Sequence, residues 1–374
     1  MAGLYIHIPF CKSRCSYCAF YSTTHAELRQ QYVDALCKEM EKRGERREER
    51  GERIETIYLG GGTPSQLTIA QLEQLFIYIN KVYAIQEGAE ITIECNPDDV
   101  TAEYASALPQ LGINRVSMGA QTFDDQRLRF LNRRHTSAQV PQAVERLRQA
   151  GIANISIDLM YGFPQESLAD WEQDIDAALA LGVEHISAYC LMYEEGTPLY
   201  RQLQQGLIHE VDEETERLMY ELLMDKLSAA GYEHYEISNF AKPGYRSRHN
   251  SSYWNDVPYI GLGAAAHSYD GQRRSWNVAD LKEYIRRVEN GESPVEDSEL
   301  IEGWTRYNDR LTVALRTCEG LDLTTLTDEQ RDYCIKNARR FLDDGLLVEK
   351  DHHLVLTHSG LFVSDMVMSE LMKV

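Results

Sequence analysis

The chain of 374 residues carries 59 acidic and 38 basic side chains, a net charge of −21, and eight cysteines. That excess of acid excludes general nucleic-acid binding, which rests on phosphate neutralisation by Lys and Arg, and argues against an anionic membrane surface. No run approaches the ~20 apolar residues of a membrane span, the start lacks a basic segment followed by a long apolar one, and eight thiols in a chain of this length read as a reduced, cytoplasmic protein and not as a disulfide framework.

In chain order, the apolar run Leu4–Ile8 reads as a strand and leads directly into Cys11-Lys-Ser-Arg-Cys15-Ser-Tyr-Cys18. Leu28, Tyr32, Leu36 and Met40 recur every four residues and predict a helix. The charge-dense run from Glu41 to Arg53 reads as a solvated helix end and loop. Thr56–Leu59 predicts a second strand, followed by Gly60-Gly61-Gly62-Thr63-Pro64. A helix then opens on Thr68 and Gln71, placed as a capping box, with Leu72, Leu75, Phe76, Ile79 and Val82 on one face. Ile91–Glu94 is the third strand, running into Cys95-Asn96-Pro97. Arg115–Met118 is the fourth, running into Gly119-Ala120-Gln121. Val140, Val144 and Leu147 mark a helix closed by Gly151; Ile155–Leu159 is the fifth strand and carries Asp158. Trp171, Ile175 and Leu179 mark another helix, closed by Gly182, and His185–Cys190 is the sixth strand.

Strand and helix in alternation predict parallel βαβ units. Six units, with no glycine-rich phosphate turn after the first strand, predict an α/β fold of the open, partial TIM-like barrel type and not a doubly wound sheet. From Arg306 the pattern changes. A helix around Leu311–Leu315, a second over Asp328–Leu342, a hairpin over Gly345–Leu356 and a last helix over Ser359–Leu371 resemble a small winged-helix domain. The tail holds more acid than base, so it reads as a lid or partner-docking unit and not as a phosphate reader. The expected division is residues 1–230 as the barrel, 231–305 as an extension, and 306–374 as the winged-helix-like unit.

The chemistry starts at the three cysteines. Spaced C-x3-C-x2-C, they can hold three corners of an iron–sulfur cube and leave the fourth iron without a protein ligand. A structural zinc site wants four ligands, and nearby only His7 or His25 could complete one. Cys37, Cys95, Cys190, Cys318 and Cys334 are scattered and read as buried structural thiols. Barrel proteins place chemistry at the C-terminal ends of their strands, and here five successive strand ends bring a polar or glycine group to one rim. Gly61 and Gly62 let backbone approach a ligand closely. Glu94 and Asp158 are acceptors suited to a ribose hydroxyl or an ammonium, and Gln121 can donate and accept. Arg133 suits a carboxylate, with a solvated helix charge beside Arg129 and Arg134 as the open alternative. Lys12 and Arg14 read as offsetting the charge of a cluster.

The cysteine spacing after a short first strand resembles the radical S-adenosylmethionine (SAM) superfamily, in which SAM chelates the open iron through its amino and carboxylate groups. The resemblance implies a [4Fe-4S] cluster on Cys11, Cys15 and Cys18, and SAM at Tyr5, Tyr17, Gly61, Gly62, Thr63, Glu94, Gln121, Arg133 and Asp158. Tyr5-Ile-His-Ile-Pro-Phe-Cys11, the Gly-Gly-Gly-Thr-Pro run, Glu94-Cys-Asn-Pro, Ser117-Met-Gly-Ala-Gln-Thr-Phe, Asn132-Arg133 and Asp158-Leu-Met-Tyr-Gly-Phe-Pro narrow it further. They look like the branch that contains the oxygen-independent coproporphyrinogen III oxidase. That oxidase has a fourth motif cysteine where this chain has Phe20, and a segment of several dozen residues before its first cysteine. Both departures point to the oxidase's haem-chaperone relatives. His249-Asn250-Ser-Ser-Tyr253-Trp254 fits the H-N-x-x-Y-W element of that branch. It offers an imidazole and two aromatic faces to a haem, with a hydrogen-bonded structural histidine as the other reading. Arg246 and Arg248 suit propionates, the small-residue run Gly261–Ala266 would let a flat ligand or another segment come close, and His267 is the second candidate ligand. The function implied is to bind cluster, SAM and haem and to deliver haem to acceptor haemoproteins of respiration or iron storage, a membrane-associated acceptor and a homodimer both being left open. The alternative is a radical enzyme of porphyrin metabolism, and whether the radical machinery turns over is left open too.

Overall fold

The structure, a computed structural model, describes residues 2–48 and 53–374. The first half alternates as the apolar runs predict. β1 (Ala2–Ile8), α1 (Arg29–Glu48), β2 (Arg53–Gly61), α2 (Ile69–Val82), β3 (Ala84–Cys95) and α3 (Ala102–Gln110) lead into β4 (Arg115–Gln121), the short α4 (Asp125–Phe130) and α5 (Gln139–Gln149). β5 (Asn154–Tyr161), α6 (Leu168–Ala180) and β6 (His185–Cys190) complete the series. Local signals set the helix ends. Thr68 and Gln71 form the capping box of α2. Gly151 (φ 93°) and Gly182 (φ 62°) follow α5 and α6 in the left-handed conformation that ends a helix.

The next stretch brings α7 (Pro198–Gln204), α8 (Glu213–Ala229), β7 (Glu233–Glu236), β8 (Asn239–Ala241), α9 (Arg248–Trp254) and β9 (Tyr259–Leu262). β10 (His267–Tyr269), β11 (Arg273–Asn277), α10 (Leu281–Glu289) and β12 (Val295–Leu300) follow. All twelve strands join one sheet in the order β12-β11-β10-β9-β1-β2-β3-β4-β5-β6-β8-β7. β9 and β1 through β6 run parallel, and both flanks are antiparallel. The ends do not pair with each other, so the barrel stays open. The parallel set gains a seventh strand from residues 231–305, because β9 lies beside β1.

Side chains alternate across the strands. One set, Leu4, Ile6, Ile57, Leu59, Ile93, Val116, Met118, Ile155, Ile157 and Ile186, is buried against the helices in the main core. The other set faces inward and is polar. Part of the charge-dense run also proves structural. The Arg43 side chain pairs with buried Glu39 and donates to Gly261 O, Ser268 Oγ and Asn277 Oδ1. Glu39 accepts besides from Gly263 N, Asn277 Nδ2 and Tyr284 OH, the full satisfaction that a buried charge requires. The reading of that run as solvated therefore fails at Arg43, whose partners other than Glu39 lie 218 or more residues away in sequence; residues 49–52 lie outside the described residues.

The C-terminal unit is winged-helix-like: α11 (Gly303–Ala314), β13 (Leu321–Asp322), α12 (Asp328–Asp343), the hairpin β14 (Leu347–Lys350) and β15 (His353–Leu356), α13 (His358–Leu361) and α14 (Ser364–Leu371). Its own core is built on Tyr307, Leu311, Phe341, Leu354 and Leu371. Asp351 and His352 both take positive φ, the two-residue turn that matches strand twist. The last helix, expected as one, is two: Val363 leaves the helical conformation between α13 and α14. Arg316 docks the unit on the barrel by pairing with buried Glu236 at the end of β7 (2.6 Å). Among the described residues no helix is long and apolar enough to cross a membrane.

Candidate functional site

β1 ends at Ile8 and delivers the cysteine loop to the rim. Backbone bonds pin that loop: Gly62 N to Ile8 O, Cys11 N to Thr23 O and Ser16 N to Leu131 O. Asn132, at φ 58°, donates its side-chain amide to Arg14 O at 2.8 Å. Cys11, Cys15 and Cys18 are free and half-buried. Burial raises the Cys11 and Cys18 thiols. Thr63 Oγ1 lies 3.4 Å from Cys11 Sγ, and Arg133 Nη1 lies 3.5 Å from Cys15 Sγ. Among the described residues no three His, Cys, Asp or Glu side chains close on a point where a single ion would sit. The cube-shaped cluster needs less, since each thiolate takes a separate iron. Three thiols on one pinned loop, faced by a guanidinium and a hydroxyl, fit that group. His7 and His25 stay apart: the His7 ring bonds Tyr5 OH and Tyr21 O, and His25 pairs with Glu27.

Glu94, Gln121 and Asp158 lie in the C-terminal halves of β3, β4 and β5, and Arg133 follows α4. Arg133 is not a solvated helix charge. Its Nη2 donates to Asn96 Oδ1 and to Gly119 O, both at 2.7 Å, and its buried Nε has no partner. Arg134 instead pairs with Asp98 and Asp99. Gln121 is buried at φ 67°, an uncommon conformation for a residue with a side chain. Glu94 accepts from Tyr58 OH (2.8 Å) and Gly61 N (3.2 Å), and burial pushes it up to about 7. Asp158 lies beside Ser117 and Ser187 and is pushed up to about 6, also by burial. Tyr17 sits within the cysteine loop against a small apolar cluster, and Tyr5 bonds His7. The glycines clear space for the protein itself. A Cβ on Gly61 would strike the His7 ring at 2.6 Å, and one on Gly62 would strike Pro9 at 2.7 Å.

The H-N-x-x-Y-W element does not present an open haem pocket. It forms α9, which lies against the inner face near the strand starts. Glu90 accepts from the Arg248 and His249 amides. His249 is 1% exposed, and both ring nitrogens are taken, Nδ1 by Thr56 Oγ1 (2.8 Å) and Nε2 by Tyr253 OH (2.9 Å). Burial drives its pKa down to about 3. Tyr253 packs on Tyr259, Trp254 on Tyr235, and Asn250 closes the cap of α9 through its amide to Ser247 Oγ. Arg246 is spent on Glu233 and Glu319, and Arg248 donates to Gly88 O. The small-residue run is small for packing: a Cβ on Gly261 would meet His267 O at 1.9 Å, and one on Gly263 would meet Tyr32 OH at 2.3 Å. His267 is exposed and stacks on Trp276 at 5.8 Å.

Residues not singled out from sequence join Tyr5 and Glu94 on the inner face. Cross-strand register aligns Tyr5, Tyr58, Thr92, Arg115 and Asn154 in one row. Glu94, Ser117, Ser156 and His185 form the next. The available signal was the alternation of polar with apolar residues inside each strand.

The Radical SAM superfamily profile matches residues 5–178, and the HemN C-terminal domain profile matches residues 301–363. The heme chaperone HemW of Bacillus subtilis is 36% identical over 370 residues, covering 96% of both chains. The heme chaperone HemW of Mycobacterium tuberculosis is 33% identical, covering 99% of this chain and 94% of its own. The solved structure of the Escherichia coli coproporphyrinogen III oxidase HemN superposes with a TM-score of 0.85 at 21% identity, over 100% of this chain and 90% of the other, a likeness that shows the fold. With full-length relatives above thirty per cent identity and the cysteine loop on the rim of an open parallel barrel, the chain belongs to the HemW family of radical SAM proteins.

Proposed function

We propose that the protein is a haem chaperone that holds a [4Fe-4S] cluster on Cys11, Cys15 and Cys18, takes SAM at the rim, and binds haem for delivery to an acceptor haemoprotein. The observation that carries the reading is the rim itself: three half-buried thiols on one pinned loop, with Arg133, Glu94, Gln121 and Asp158 turned toward the same mouth. When bound, the cluster offers an iron without a protein ligand, and SAM supplies the chelating amino and carboxylate groups. The chain's own residues do the positioning. Arg133 sets a positive charge against the Cys15 sulfur and retains a free Nε–H for an acceptor. Glu94 and Asp158 present carboxylates that ionise near neutrality, suited to a cationic, hydroxyl-bearing ligand. Asn96 fixes the Arg133 fork.

For haem, the His249 ring offers a nitrogen only by giving up Thr56 Oγ1 or Tyr253 OH, so binding through this imidazole goes with a local rearrangement around it. His267 offers an imidazole without one. The test is anaerobic purification with iron, sulfide, SAM and haem titrated on one sample. About four irons, saturable SAM binding and about one haem per chain are expected. Cluster and SAM without haem would overturn the chaperone reading and favour a radical enzyme.

A further inference from the structure

The inner face holds a cation that the rim chemistry does not use. Arg115, the first residue of β4, is 1% exposed. Its Nε and Nη1 are buried without a hydrogen-bond partner, and among the described residues no carboxylate stands at ion-pair distance from it. In register on either side lie Thr92 of β3 and Asn154 of β5. Thr92 is fully buried with an unpartnered Oγ1, and the buried Asn154 Oδ1 is unpartnered as well. Three neighbouring strands thus point unsatisfied polar atoms at one spot.

The surroundings give the guanidinium no direct counter-ion. His185 is held by Ser156 and Tyr235, and His249 by Thr56 and Tyr253. Both histidines are kept neutral by burial, and Arg115 works in the same direction. Glu94, one row nearer the rim, and Asp158, two rows nearer, feel the guanidinium but do not stand at ion-pair distance from it. Ordered water would satisfy the hydrogen bonds and leave the guanidinium without a contact ion pair. A buried ion without a contact partner is expensive, and an unsatisfied buried group of this kind calls for a specific explanation.

We propose that Arg115, with Thr92 and Asn154 beside it, receives a carboxylate of a ligand that enters the inner face from the rim. The planar fork suits a carboxylate in two-point contact. The site lies behind α9, next to His249, so on the haem-binding reading, on which this inference rests, the carboxylate is a porphyrin propionate. The other source of the same chemistry is the carboxylate of SAM.

The test uses Arg115→Met, which keeps length and volume and removes the charge, and Arg115→Lys, which keeps the charge and loses the fork. Full-length protein with reconstituted cluster is titrated with haem, haem dimethyl ester, SAM and decarboxylated SAM, and thermal unfolding is recorded. Arg115→Met should bind haem roughly ten- to a hundredfold more weakly, bind the dimethyl ester and SAM as the parent does, and melt no lower than the parent. Arg115→Lys should fall between. Loss of SAM affinity alone, without loss for decarboxylated SAM, would assign the carboxylate to SAM. Parent-like binding of all four ligands by Arg115→Met, an equal loss for haem and its ester, or a large drop in melting temperature would overturn the site. A parent that binds neither haem nor the ester would overturn the chaperone reading instead.

Discussion

Asp158→Asn separates charge from shape at the rim. Asp158 sits on the inner face of β5 beside Ser117 and Ser187, and burial pushes its carboxyl up to about 6. A raised carboxyl is protonated as pH falls through the folded pKa, so it is ionised at about pH 7.5 and roughly nine-tenths protonated at about pH 5. If SAM needs the ionised form, restoring it at about pH 5 costs ~1.4 kcal/mol, about tenfold in affinity. Glu94, pushed up to about 7, titrates in the same direction and deepens the loss. The parent should therefore bind SAM at least about tenfold more weakly at the lower pH. Asparagine keeps the shape and removes the ionisation. At about pH 7.5 the variant loses a charged hydrogen-bond partner, ~1.5–3 kcal/mol or about one to two decades. Its remaining pH dependence should be shallower than the parent's by about tenfold, with Glu94 supplying the rest. Calorimetric titration of cluster-loaded protein at both pH values reads both quantities. Parent affinity in the variant would remove Asp158 from the site; weaker binding with an unchanged pH dependence would show that its charge plays no part.

The cluster should vanish on loss of any one thiol: Cys15→Ala, reconstituted anaerobically, should lack the charge-transfer absorption and hold far fewer than the ~4 irons of the parent, and an intact cluster there would remove Cys15 from the ligand set. His249→Ala should cost ~2–4 kcal/mol in urea unfolding, because it opens a cavity and orphans Thr56 and Tyr253, and should also shift the Soret band of bound haem. Exposed His267→Ala should stay within ~0.5 kcal/mol of the parent and leave the spectrum alone; the opposite spectral pattern would move the iron ligand to His267. Coproporphyrinogen III under anaerobic reducing conditions should not be decarboxylated, since Phe20 stands in place of the oxidase's fourth motif cysteine; chromatographic detection of protoporphyrinogen at a rate comparable to a known oxidase would reverse that ranking.

Local pattern alone determined the order of β1 to β6 with α1, α2, α5 and α6 between them, the capping box of α2, the glycines that end α5 and α6, and the cysteine loop. Each depends on residues a few positions apart, and the rule that barrels carry chemistry at strand ends then assembled the rim in advance. What only the tertiary structure decided is where long-range partners meet. Arg43 looked like one more charge in a solvated run until Glu39, Gly261 and Asn277 closed around it. Gly61 reads as an approach for a ligand and Gly263 as one for a flat ligand or another segment, and they make room for His7 and Tyr32. The same holds for His249, whose motif describes an imidazole between aromatic rings and says nothing of Thr56 on β2 or Glu90 on β3. For Arg115 the alternation within its strand gives the inner face and nothing more, because a buried cation without a contact partner is defined by what the other strands fail to bring to it.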